Sequence, residues 1–188
     1  MWRKNGWCRD FQSGAIMVSW PFIQKELMEG ATQKVNFADC YVLTYGRTKA
    51  AVTSFLDRFL PQRAEYADQY ELPQFSDNPV IEFQTAEQLL DYLEQDLHTV
   101  HAIYWYNPED TTIRAAMALF TSDGQVILGL TCECHKDDDS VEQGCLKELM
   151  AFCRSTVGLI EYEKPAPKDT DELLQRIGAS SGHKEGKA

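Results

Sequence analysis

The residues best equipped for chemistry are Cys132-Glu133-Cys134-His135, followed by Cys145 and Cys153. Two thiolates, an imidazole and a further sulfur are the donor set of a tetrahedral zinc site. The spacing is poor for one. Structural zinc sites place two to four residues between paired cysteines, in a turn. In an extended strand, Cys132 and Cys134 share a face and His135 points the other way. Cys132 and Cys134 also continue the apolar alternation Val126, Leu128, Leu130. Cys145 and Cys153 extend the apolar face of a helix, and free cysteine behaves as a small hydrophobe. Core thiols are therefore the preferred reading. A small enzyme or metal-binding protein built on Cys132, Cys134 and His135 stands as the alternative.

The other candidates are less specific. A thiol nucleophile needs a base and a depressed pKa. His98, His101 and His135 are available, but none sits in a local signature. Asp137, Asp138 and Asp139 lack the glycine and terminal glutamate of a calcium loop. They read instead as a solvated turn before a helix N-terminus, where the helix dipole favours negative charge. No phosphate-cradling glycine loop, GxSxG or HExxH is present. No catalytic residue, metal or cofactor is assigned on these grounds.

The elements that must position these residues follow from periodicity and turn chemistry. Residues 1–36 read as an N-terminal extension with a short helix from Ser19 to Glu29, Pro21 lying in its first turn and Gly30 ending it. An α+β core domain is expected over 37–164. It begins with a strand in Phe37–Thr44 and a helix over Thr48–Leu60, whose apolar face is Ala51, Val52, Phe55, Leu56 and Phe59. Gln62–Pro79 has no clear period and reads as a long loop. Val80–Phe83 is a short strand. Thr85 and Gln88 then form a capping box for a helix burying Ala86, Leu89, Leu90, Leu93 and Leu97. Strands follow over Val100–Tyr106, Ile113–Thr121 and Gln125–Cys134, the last two joined by a Ser122-Asp123-Gly124 hairpin turn. Ser140 caps a third helix with Val141, Cys145, Leu149, Phe152 and Cys153 inward, and a strand over Leu159–Tyr162 follows. Residues 165–188 read as a short helix, about Thr170 to Ile177, and a disordered tail from Gly178. The fold expected is a single mixed, mostly antiparallel sheet packed with three to four helices.

One stretch is unlike the rest. The fifty residues Ala64–Ile113 contain no lysine or arginine and eleven carboxylates: Glu65, Asp68, Glu71, Asp77, Glu82, Glu87, Asp91, Glu94, Asp96, Glu109 and Asp110. Its formal charge equals the net −11 of the whole chain, so everything outside it balances. It also holds eight aromatics. An acidic chain repels phosphate backbones, which argues against nucleic-acid binding. Complementary potential favours a basic protein partner. Tyr and Trp are common interface anchors. The expected partner-binding set is therefore Asp68, Tyr70, Glu71, Phe75 and Asp77 in the loop, with Tyr104, Trp105, Tyr106, Glu109 and Asp110 at a strand end. The competing reading keeps the aromatics in the core and the carboxylates as solvated surface. Trp105 would equally serve a homodimer. No run reaches membrane-spanning length and no secretory leader precedes the cysteines, so a cytoplasmic setting is expected.

Several segments taken together resemble a known group. They are Tyr45-Gly46, FLDRFLP (Phe55–Pro61), YADQYELPQFSDNP (Tyr66–Pro79), AIYWYN (Ala102–Asn107) and TSDGQVILGL (Thr121–Leu130). The combination resembles small acidic bacterial immunity proteins encoded beside polymorphic or contact-dependent toxins, over about Tyr41–Tyr162. The resemblance implies an α+β, non-enzymatic toxin inhibitor that binds and blocks its cognate toxin, often a basic nuclease domain. It assigns no individual residue. A housekeeping scaffold domain is a further alternative.

Overall fold

The computed structural model describes residues 36–109, 111–135 and 138–182. The helix expected over Ser19–Glu29 lies outside them. The described chain forms β1 (Asn36–Thr44), α1 (Lys49–Phe59), β2 (Ala64–Glu65), β3 (Tyr70–Leu72), β4 (Ile81–Phe83), α2 (Ala86–Gln95), β5 (His101–Tyr106), β6 (Ile113–Phe120), β7 (Val126–Cys134), α3 (Ser140–Cys153), β8 (Gly158–Glu161) and α4 (Thr170–Gly182). Six strands make one sheet in the order β2-β5-β6-β7-β1-β8, and β3 and β4 form a separate two-stranded sheet. Every ladder is antiparallel, so the α+β expectation holds with two antiparallel sheets in place of a single mixed one.

The two-residue strand period divides the large sheet into two faces. Val42, Ile103, Trp105, Ala116, Ala118, Phe120, Val126, Leu128 and Leu130 pack with Val52, Phe55, Leu56 and Phe59 of α1, Leu89, Leu90 and Leu93 of α2, and Leu149 of α3. Tyr41, Leu43, Met117, Leu119, Ile127 and Leu159 pack on the other face with Leu173 of α4. Phe55, Phe59 and Phe152 join α1 to α3, their ring centroids 5.5–6.5 Å apart. Gly129 in β7 is dictated by packing: a Cβ there would sit 2.6 Å from Met117 Cγ and 3.1 Å from Tyr41 Cδ1.

Local signals account for most boundaries. The Thr48 side chain accepts from Ala51 N and starts α1; that of Thr85 accepts from Gln88 N and starts α2. The Gln88 side chain reaches back past the cap, its Oε1 accepting from Gln84 N at 2.9 Å. Gly124 takes φ +81°, a left-handed value that closes the β6–β7 turn at little cost for glycine. Four details depart from expectation. Leu97 lies past the end of α2 and is 51% exposed. Ser140 is the first residue of α3 rather than its cap, and its amide donates to Asp138 Oδ1. Phe152 is partly exposed at the end of its aromatic row. α4 runs on to Gly182, through the start of the expected tail.

Arg47 ties the helical layer to the sheet. Its guanidinium is buried, donating from Nε to Leu93 O (3.0 Å), from Nη1 to Thr121 O (2.7 Å), and from Nη2 to the carbonyls of Asp96 (3.0 Å) and Thr99. It also lies 5.0 Å from the Phe120 ring centroid. One side chain thus satisfies carbonyls at the end of α2, in the α2–β5 connection and at the β6–β7 turn. The planar five-donor fork of arginine is suited to this task.

Candidate partner-binding surface

The acidic stretch becomes one end of the molecule. Ala64 and Glu65 pair with Tyr106 and Trp105, making β2 the outermost strand beside β5. The chain continues along the same edge. Tyr66 N donates to Tyr104 O at 3.1 Å, and the Gln74 side chain brackets Ala102, accepting from its amide and donating to its carbonyl at 2.9 Å each. The long connection and the β5 strand end therefore do meet. They meet as a covered sheet edge, which removes a row of open backbone groups.

Burial redistributes the expected contact residues. Tyr70 is 4% exposed and its hydroxyl donates to Glu65 Oε2 at 3.0 Å. Trp105 is 3% exposed and belongs to the main core, because it shares the inward face of β5 with Ile103. Neither is a surface anchor. Tyr104 is half-buried on the opposite face. Phe75 is half-buried at φ +63°. Tyr106 is 38% exposed and makes a T-shaped contact with Tyr66 at 6.5 Å. Asp68, Asp77 and Glu109 are exposed, Glu71 is half-exposed, and Asp110 lies outside the described residues.

The carboxylates separate into distinct roles. Glu65 Oε2 accepts from Ala86 N at 2.8 Å, helping to cap α2, and from Tyr70. Asp96 accepts from Thr99 Oγ1 (2.7 Å), His98 N and Tyr92 Oη; these bonds, that from Thr99 foremost, hold its pKa down at about 2. Glu87 and Asp91 share Lys49 at 2.9 and 2.8 Å. Asp68, Glu71, Glu82, Glu94 and Glu109 form no ion pair among the described residues. Of these, Glu71 and Glu82 stand directly opposite each other across the β3–β4 ladder. Like charges in that position are destabilising.

The connection expected as a loop over Gln62–Pro79 hides β2 and β3, and β3 pairs with β4, the strand expected over Val80–Phe83. Tyr70↔Phe83 and Leu72↔Ile81 form the inward face of this pair, and Glu71↔Glu82 lies outward. For β3 the signal was present as the alternation Tyr-Glu-Leu, but three residues are too few for a period to stand out. Val80, just before β4, is 83% exposed, and Ile81 is 37% exposed although it lies on the inward face; composition alone did not mark them.

The thiols pack together in the core. Cys40, Cys132 and Cys134 are buried between β1, β7 and α3, with Cys145 and Val141 packed against them. Cys40 Sγ donates to Glu142 O at 3.3 Å. The neighbouring Cys132 thiol and burial raise the pKa of Cys145; burial and the nearby Glu142 carboxylate raise that of Cys134, and burial alone brings Cys153 to about 11. These are poor conditions for a thiolate. His135 is exposed and paired in an isolated bridge with Asp138. Among the described residues, no group of three or more His, Cys, Asp or Glu side chains is arranged to hold a metal. Cys145 also lines a groove of about 270 Å³ with Phe59, Thr112, Ile113, Val141, Gly144 and Glu148. His101 is buried in the core, and that burial lowers its pKa to about 4, so it is neutral at pH 7. No described helix is long and apolar enough to cross a membrane. Comparison with protein-family models, with curated proteins and with solved structures finds no match to this chain.

Proposed function

We propose that this chain is a non-enzymatic binding protein of the immunity type, which neutralises a basic toxin through its acidic end. The observation that carries this reading is the set of five carboxylates that form no ion pair among the described residues — Asp68, Glu71, Glu82, Glu94 and Glu109 — on the segment that builds one end of the fold. A protein that needed negative charge only for solubility gains nothing by opposing Glu71 to Glu82. A cationic partner would offset that repulsion and gain charge-assisted hydrogen bonds. Tyr106, Val80 and Ile81 supply apolar contact in place of Trp105. In this reading the partner is a cationic domain, such as a nuclease, whose basic cleft the acidic end occludes. The setting is a bacterial cytoplasm. Burial of Cys132 and Cys134 weighs against the enzyme alternative.

The test is affinity capture with the protein as bait, followed by co-expression. A basic protein that is toxic alone and neutralised by this chain is expected. It should escape a bait carrying Asp68→Lys, Glu71→Lys and Glu82→Lys. Equal recovery by both baits, or a captured protein whose toxicity persists, would contradict the reading.

A further inference from the structure

The β3–β4 sheet has one occupied side and one open side. β3 lies against the body of the protein: Tyr70 is within 6.1 Å of the His101 ring, and Gln74, just beyond β3, is bonded to Ala102 of β5. β4 touches α2 through Phe83, whose ring centroid lies 5.5 Å from that of Tyr92, while Val80, Ile81 and Glu82 are exposed. Among the described residues no strand pairs with the far edge of β4. Two-stranded sheets are marginal alone, and exposed edges are ordinarily blunted by lysine, proline or a covering element. The edge of β5 is covered in that way by β2 and Gln74. β4 instead presents Val80 and Ile81 to solvent beside Glu82.

We propose that the outer edge of β4 receives an extended segment of the partner, which adds as a third strand to the β3–β4 sheet. This rests on the reading of the acidic end as the binding surface. Alternation fixes the chemistry of the segment. Residues beside Ile81 and Phe83 lie on the inward, apolar face. The residue between them lies outward, beside Glu82 and within reach of Glu71. The segment recognised is therefore apolar–basic–apolar, with arginine favoured at the centre because its fork matches carboxylate geometry. Main-chain bonds would supply affinity and the central cation specificity, as in other strand additions. Charge selects against a second copy of this chain, whose own Glu82 would be brought up against Glu82 and Glu71.

The probe is a seven-residue peptide alternating valine and arginine, with blocked ends. Two isomers accompany it, one N-methylated at every valine and the other at every arginine. In an edge pairing only alternate residues direct their N–H groups at the neighbouring strand. The parent peptide is expected to bind the full-length protein at low salt and to shift the amide resonances of Ile81–Phe83. One N-methylated isomer should then lose about tenfold or more in affinity, for two or three lost hydrogen bonds, while the other binds like the parent. Equal binding of all three, weakened by salt, would overturn strand addition and leave the charge reading standing. Failure of the parent to bind would overturn strand addition too, while capture by the wild-type and triple-lysine baits tests the charge reading separately.

Discussion

Two buried ionisable side chains set requirements that their neighbours must meet. Arg47 is held by four carbonyls from three segments, and lysine cannot reproduce its fork. Arg47→Lys is expected to cost about 2–4 kcal/mol, because buried carbonyls lose their donors; urea unfolding measures it. Asp39 is 2% exposed on β1, in register with Thr131 on β7 and Glu161 on β8. Thr131 Oγ1 donates to it at 2.8 Å, Tyr41 also bonds it, and Lys164 pairs with the adjacent Glu161 at 2.7 Å. Burial is the main cause that raises the Asp39 pKa from 3.8 to about 7. The folded state thus holds a proton that the unfolded state releases. This contribution to stability is fully present below pH 3.8 and is lost as pH rises towards 7. Asp39→Asn keeps the acceptor for Thr131 and removes the titration. Its unfolding free energy should lose this slope between pH 4 and 7, about 1.4 kcal/mol per pH unit at most, and exceed the wild type at pH 8. A variant with the wild-type slope would count against a protonated Asp39.

At the level of elements, the close fit of β7 to its neighbours leaves Gly129 no room for a side chain. Gly129→Ala is expected to destabilise by about 1–3 kcal/mol through overpacking against Met117 and Tyr41, with Met117→Ala recovering part of the loss in a double-mutant cycle. The elements legible in the sequence were those with a repeated period or a named cap. The β6–β7 hairpin was marked by Ser122-Asp123-Gly124, α1 by its Ala51–Phe59 stripe, and α2 by Thr85 with Leu89, Leu90 and Leu93. β2 and β3 were hidden because strands of two and three residues carry no period and are specified by partners distant in the chain. Leu97 continued a helical stripe past the point where Asp96, bonded to Thr99 and His98, ends the helix. Trp105 and Tyr70 were legible as aromatics but not as core residues. The alternation of β5 allows either face inward, and the packing of α2 and β3 decides which. The general position of the candidate surface could be read from charge alone; its composition depends on burial.

For the whole molecule, charge that is segregated in the chain is also segregated in space, because Ala64–Ile113 supplies β2–β5 and α2 at one end of the sheet. The balanced remainder includes β7, β1 and β8 at the other end. Such a distribution raises encounter rates with a cationic partner and is screened by salt. The most direct test is stopped-flow association of the captured basic partner with wild type and with the Asp68→Lys, Glu71→Lys, Glu82→Lys variant, across a salt series. The variant is expected to associate at least about tenfold more slowly at low salt, with a flattened dependence on ionic strength. Its unfolding midpoint should match the wild type or lie above it. Equal association rates and equal salt slopes for the two proteins would contradict an acidic end built to receive a basic partner.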